Sequence, residues 1–174
     1  MNEIEVKILE IDVEAIKAKL ESVGAQVSFD DDMKATFYDF EDGRIRSAGG
    51  VLRLRQEGPT VILTRKELIS KAEAKVMREL ETAVEDPEAL RNILLSLGLH
   101  PVKETHKHRI QYEWKNAHIV IDTYKGTLEA IPPFMEIEAS DVPSLYQTVE
   151  ILGYTQEDCK SWDTGDLIIH YGLT

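Results

Sequence analysis

Polar and apolar residues alternate from the start of the chain. Glu3, Glu5 and Lys7 fall on one face of an extended segment, with Ile4, Val6 and Ile8 on the other. That pattern predicts a half-buried antiparallel strand. From Asp12 the spacing becomes helical, with Ile16, Leu20 and Val23 in one stripe, Asp12 as N-cap and Gly24 as stop. Residues 25–40 read as extended and carry Phe37, Tyr38 and Phe40. A turn at 41–43 and a flexible loop at 47–50 lead to a strand at 51–56, which Glu57-Gly58-Pro59 folds back into a second at 60–66. Residues 67–75 fit either a helical turn or a mobile polar loop. A strand at 76–84 precedes a helix opened by Asp86-Pro87, carrying Leu90, Ile93, Leu94 and Leu97 and ended by Gly98. A long strand at 102–114 turns at 115–116 into a partner at 118–124. A strand at 133–139 and a helix at 142–152 follow. Trp162, Leu167, Ile168, Ile169 and Tyr171 predict that the tail packs. Short connections throughout favour antiparallel pairing.

Charges on these strands sort by sign. Arg53 and Arg55 share a face backed by Leu52 and Leu54, and the next strand offers Thr60, Thr64 and Lys66. Glu79 and Glu81 follow, then Lys103, Thr105, Lys107, Arg109, Gln111 and Glu113 on one long face. Asp122, Glu136 and Glu138 complete the set. E-x-E thus recurs on three strands and R/K-x-R on two, whereas solvated faces tend to mix their charges. If the sheet closes, these faces converge on one lumen, where ions are tolerated only when paired or bound. A lumen of both signs suits a triphosphate bridged to a divalent metal, since carboxylates hold hard cations and Arg and Lys take phosphoryl oxygens. A plain antiparallel sheet with solvated faces is the alternative.

Composition narrows the setting. At 174 residues, 43% hydrophobic and 30% charged, the chain reads as one domain over 1–174. No apolar run reaches the length of a membrane span, the start lacks signal-peptide character, and the single Cys159 excludes an internal disulfide. These features favour the cytoplasm. A net charge of −12 argues against nucleic acid and acidic lipid as partners. A small polyanion would need a local basic cluster, and a homodimer is left open.

The ordered set of E-x-E-x-K, L-R-L-R, a Lys after a threonine-containing strand, E-x-E, K-x-R, a lone Asp and a final E-x-E resembles the CYTH superfamily. This triphosphate tunnel group includes class IV adenylyl cyclases, thiamine triphosphatases and inorganic triphosphatases. The resemblance runs from Glu3 to about Glu138. It implies an α+β fold, a closed eight-stranded antiparallel barrel with helices packed outside. It also implies dependence on Mg2+ or Mn2+ and a triphosphate substrate such as ATP or tripolyphosphate. By motif, Glu3, Glu5, Glu79, Glu81, Asp122, Glu136 and Glu138 resemble the acidic, metal-binding set, with Glu136 and Glu138 among its principal ligands. Lys7, Arg53, Arg55, Lys66, Lys107 and Arg109 resemble the phosphate ligands, the first four of them also as catalytic groups. The E-I-E-V-K opening is closer to the cyclase-type branch, implying conversion of ATP to cyclic AMP and pyrophosphate. Hydrolysis of an inorganic or organic triphosphate is the alternative, and a binding module without turnover a second. Glu67-Leu68 stands where the family usually has Gly-Pro, so the resemblance does not extend to nucleobase recognition.

Other candidates read as structural. His106 and His108 flank Lys107 and face away from the proposed ligands, and with His100 and His118 they lack a zinc-type spacing. Cys159 has no paired base. Arg78 reads as an outer ion pair, Trp114 and Trp162 as packing, and Lys71, Glu73 and Lys75 as a solvated run.

Overall fold

Strand β1 (Asn2–Ile8) is paired along both edges, and that closes the sheet. The computed structural model describes residues 2–173 other than 72–74, with the side chains of Asn2, Glu3, Lys71 and Lys75 also outside the description. The further strands are β2 (Gln26–Phe40), β3 (Val51–Glu57), β4 (Thr60–Lys71), β5 (Lys75–Ala83), β6 (Leu99–Trp114), β7 (Ala117–Lys125) and β8 (Phe134–Ala139). Side by side they run β5-β4-β3-β2-β6-β7-β8-β1, every pair antiparallel, and β1 returns to β5. The result is the expected closed eight-stranded barrel, with β9 (Cys159–Lys160) as a short extra strand beside Lys7 and Ile8. The longest pairing, β2 with β6, shifts register at Val27/Phe29 and at Phe37/Tyr38. Such bulges add the bend that closure requires.

The helices are α1 (Val13–Ser22), α2 (Arg44–Ser47), α3 (Pro87–Ser96), α4 (Val142–Ile151) and α5 (Thr164–His170). Aspartate caps four of them. Asp12, Asp86 and Asp141 accept from the N–H of Ala15, Ala89 and Ser144 at 3.0, 2.9 and 2.8 Å, and Asp163 accepts from Gly165 and Asp166. Each such cap contributes about 1 kcal/mol.

The apolar core lies outside the barrel wall. Val6, Ile8, Ile110, Tyr112, Ile119, Ile121, Met135 and Ile137 point outward and pack under Ile16 and Leu20 of α1 and Leu145 and Val149 of α4. A second cluster sets Leu90 and Leu94 of α3 on Leu52, Leu54 and Leu63. In a third, Tyr124, Phe134 and Ile131 gather around Leu167 of α5, with Trp162 and Ile168 beside them. Fully burying a side chain such as Leu20, Leu145 or Leu167 contributes roughly 1.5–3 kcal/mol. The inner face of the wall carries the segregated charges, with Met33, Ala35, Phe37, Tyr124 and Phe134 among them.

Two local expectations change. The flexible loop keeps residues 48–50, but Ser47 ends helix α2, which buried Asp39 supports by accepting hydrogen bonds from the N–H groups of Phe40, Ile45 and Arg46 at 2.8, 2.9 and 3.0 Å. Gly49, at φ 70°, then turns the chain into β3. The ambiguous stretch after Lys66 is neither helix nor loop up to Lys71, since it continues β4 against β5. Its charge run, Lys71, Glu73 and Lys75, lies outside the described side chains. The tail packs as expected, through α5.

Candidate active site

Residues directly opposite one another in a sheet share a face, so the register assigns the lumen strand by strand. Glu5 is opposite Glu138 and Lys7 opposite Glu136. Arg109 is opposite Asp122, and Lys107 opposite Tyr124. Arg53 is opposite Thr64, Thr64 opposite Glu81, and Lys66 opposite Glu79. Strand β2 supplies Met33, Ala35 and Phe37, opposite Glu57, Arg55 and Arg53. The basic and acidic residues singled out from the sequence therefore share one interior face. The exception is Glu3, whose side chain lies outside the described residues.

Asp122 is the hub of the basic side. It is fully buried, and its carboxylate accepts from Arg109 Nε at 2.8 Å and Nη2 at 2.6 Å and from the Lys107 ammonium. Glu136 lies 3.3 Å from Arg109 Nη2 and 2.7 Å from Lys7 Nζ, which is itself 3.7 Å from Glu5. Burial works against every one of these charges. For Lys7, Glu136 and Glu5 outweigh it and hold the ammonium above its usual range. For Glu136, Lys7, Lys107 and Arg109 outweigh it and hold the carboxyl well below its usual range. For Lys107 burial wins, with Arg109 adding to it, and its pKa is pushed down to about 8.

The sign of that shift gives a pH dependence. Between about pH 8 and the unfolded value of 10.5 the unfolded chain holds a proton on Lys107 that the folded chain has lost. Stability contributed at this position therefore rises with pH across that window. Urea titrations at pH 8 and pH 10 should show the rise in the native chain and a smaller one in Lys107→Met. Equal slopes in both proteins would remove Lys107 as its source.

Across the lumen, Arg55 lies 2.9 Å from Glu57 through Nε and 3.3 Å from Glu81 through Nη2, and Thr64 donates to Glu81 at 2.7 Å. The Nε of Arg55 is close to Glu57 without the alignment of a hydrogen bond. Lys66 pairs with Glu79 at 3.3 Å. Arg53 differs. Its Nε is buried with no hydrogen-bond partner among the described residues, while Glu81 and Glu136 act on its guanidinium only through their charge. Burial, then Arg55 and Arg109, push its pKa down to about 10, which still leaves it charged at neutral pH. A guanidinium N–H buried without an acceptor is costly unless an anion joins it. Arg53→Ala should consequently leave the empty protein as stable as before, or more so. It should also weaken triphosphate binding by about 1.5–3 kcal/mol, the range for hydrogen bonds to charged groups. Calorimetry beside a urea melt separates the two effects, and unchanged affinity would place Arg53 outside the site.

The carboxylates differ in what they can still bind. Asp122 is spent on Lys107 and Arg109, and Glu79 and Glu81 are engaged by Lys66, Arg55 and Thr64. Glu5 and Glu138 stand directly opposite each other across β1–β8, where like charges repel. Oxygen donors on opposed strands suit a hard divalent ion, which would turn the repulsion between them into attraction to a shared cation. Glu136 adjoins them on the same face. Among the described residues no three His, Cys, Asp or Glu side chains are already drawn together around an ion position.

Several residues have plain roles. His106 and His108 lie on the outer wall as expected, both against Asp32, which Lys125 foremost and then the histidines hold at a pKa of about 2. Arg78 pairs with Glu67 at the surface. Trp114 donates its indole N–H to Val23 O at 3.0 Å, and burial pushes the Cys159 thiol up, away from reactivity. Sequence reasoning missed Glu57 as the Arg55 partner, because it sits in a turn signal. It also missed Tyr124, buried beneath Lys107 with its pKa pushed up by burial to about 12. Phe37 was visible only as one aromatic among three.

Comparison with known proteins agrees with this fold. A Methanocaldococcus jannaschii protein named as a candidate adenylate cyclase is 26% identical over 140 residues, covering 80% of this chain and 78% of its own length. A Vibrio parahaemolyticus structure, described as a candidate adenylate cyclase, superimposes at TM-score 0.80 with 17% identity, covering 96% of this chain and 97% of that one. A Hippeastrum structure, described as a candidate adenylyl cyclase with a dominant triphosphatase activity, gives TM-score 0.65 at 13% identity, covering 98% and 95%. At such identities the two structures speak for the fold alone. The CYTH domain family profile, in contrast, matches residues 1–151 of the sequence itself, and the chain belongs to the CYTH family.

Proposed function

We propose that the chain is a metal-dependent enzyme acting on triphosphates, and that its reaction is the conversion of ATP to cyclic AMP and pyrophosphate. The observation that carries this reading is Arg53, whose Nε is buried without a hydrogen-bond partner among the described residues, close to Arg55 and Arg109. A phosphoryl oxygen supplies the acceptor that Arg53 Nε lacks, and further phosphoryl groups can reach the neighbouring cations. A metal ion is part of the same balance. Lys7, Arg53, Arg55, Lys66, Lys107 and Arg109 already meet Glu5, Glu57, Glu79, Glu81, Asp122, Glu136 and Glu138, so a triphosphate needs additional positive charge. Mg2+ or Mn2+ held by Glu5 and Glu138, with Glu136 and Glu3 beside them, would neutralise phosphoryl oxygens as a Lewis acid.

The chain's own groups do the rest. Arg53, Arg55 and Arg109 present planar forks that fix phosphoryl oxygens in pairs. Lys7, held charged by Glu136 and Glu5, and Lys66, held by Glu79, stabilise negative charge that develops as pyrophosphate departs. In cyclisation the ribose 3′-hydroxyl attacks the α-phosphorus and the bond to the β-phosphate bridging oxygen breaks. The Hippeastrum fold neighbour favours a second reading, in which water attacks the terminal phosphorus in the same cradle. Products from ATP, and separately from tripolyphosphate, with Mg2+ or Mn2+ decide between them. Cyclic AMP with pyrophosphate supports the first, and orthophosphate release supports the second. Binding without any product would reduce the protein to a triphosphate-binding module.

A further inference from the structure

Past Arg53 the lumen wall changes character. Phe37 stands directly opposite Arg53 on β3 and directly opposite Lys103 on β6, so the three side chains share the interior face. The Lys103 ammonium lies 5.8 Å from the centroid of the Phe37 ring. The other aromatic residues of this face, Tyr124 and Phe134, are consumed in the cluster under Leu167, but Phe37 belongs to none of the apolar clusters. It is half-buried, against cations, with its ring committed to no packing partner of its own kind.

An aromatic face contributes nothing to holding phosphate. It does offer a stacking surface for a heterocyclic ring, and such stacking is strong and tolerant of which base is present. We propose that Phe37 is the platform on which the base of a nucleoside triphosphate stacks, with Lys103 reaching the ring nitrogens and carbonyl oxygens at the base edge. The phosphate nearest the nucleoside then meets Arg53, and the remaining phosphates extend along the basic row. Bare tripolyphosphate fills that row and leaves Phe37 uncovered. The site is thereby assigned to organic triphosphates with an aromatic base in preference to inorganic ones, an assignment that rests on the lumen holding a triphosphate at all.

Calorimetric titration of the full chain with ATP and with tripolyphosphate, each with Mg2+, separates the two layers of the reading. Phe37→Ala and the volume-conserving Phe37→Leu should each lower the ratio of ATP affinity to tripolyphosphate affinity by roughly tenfold or more, the scale of one lost base–aromatic stack. Phe37→Trp should preserve or raise that ratio, and Lys103→Met should lower it by a smaller factor. An unchanged ratio in the Ala and Leu variants overturns the platform. Tripolyphosphate binding to the native chain without ATP binding also overturns the platform, while leaving the phosphate site standing. Failure of both ligands to bind the native chain overturns the phosphate site and the platform together.

Discussion

Asp122→Ala destabilises the empty protein by about 3–5 kcal/mol, the range for a buried ion pair stripped of one partner. The carboxylate is fully buried and is shared by Lys107 and Arg109, so its loss removes the hydrogen-bond partner of Lys107 and leaves Arg109 with Glu136 alone among the described residues. At this chain length the melting temperature should fall by roughly 10 °C. The same cause predicts a partial rescue. Tripolyphosphate carries the missing charge to the same cations, so saturating ligand should recover more stability in the variant than it adds to the native chain. Urea melts with and without ligand measure both quantities. A loss under about 1 kcal/mol would mean that water already screens the pair in the manner of a surface salt bridge.

Glu5→Gln gives the opposite profile, with turnover falling by roughly a hundredfold or more while the fold stays intact. Several kcal/mol of transition-state charge stabilisation come from a bound divalent ion, and each 1.36 kcal/mol is a factor of ten. Glu5 is one of the two carboxylates that face each other across β1–β8, and an amide is a far weaker ligand for a hard cation. The empty protein gains from the change, because Gln keeps the shape of Glu and relieves the repulsion from Glu138. Its 3.7 Å contact to Lys7 is long, and Glu136 holds that ammonium more closely. Product formation in Mn2+ or Mg2+ is read beside a melt. Native turnover in Glu5→Gln would move the metal away from this strand pair.

Much of the barrel was legible because its two faces differ so sharply. Alternation placed Arg53 and Arg55, Glu79 and Glu81, and Glu136 and Glu138 on common faces without any knowledge of pairing. Closure was inferred from the density of charge, and the β1–β5 pairing supplies it. Partner choice was not legible. Nothing local in the sequence says that Asp122 is taken by two cations or that Arg53 Nε has no hydrogen-bond partner among the described residues, because those facts depend on which strands become neighbours. Phe37 was hidden for a related reason. It adjoins Tyr38, which packs outward into the α3 cluster, and a register shift falls between them, so alternation could not say which ring looks inward. Helix α2 was missed because its support is a buried carboxylate on the preceding strand, Asp39, and not a cap within its own sequence.

The position of β1 in the sheet has a consequence for biosynthesis. This strand is made before both of its partners, β5 and β8, and β8 ends only at Ala139. The outer residues Val6 and Ile8 also wait for Leu145 and Val149 of α4. For most of translation, β1 therefore presents two unsatisfied edges and an uncovered apolar face, while β2 to β7 can pair among themselves. Such an edge is a template for another chain. Glu3, Glu5 and Lys7 alternate with the apolar residues along it, and in the nascent chain they act as gatekeepers against mispairing before they line anything. The residues assigned here to metal and phosphate would thus serve the polypeptide once on its way to the fold and again within it.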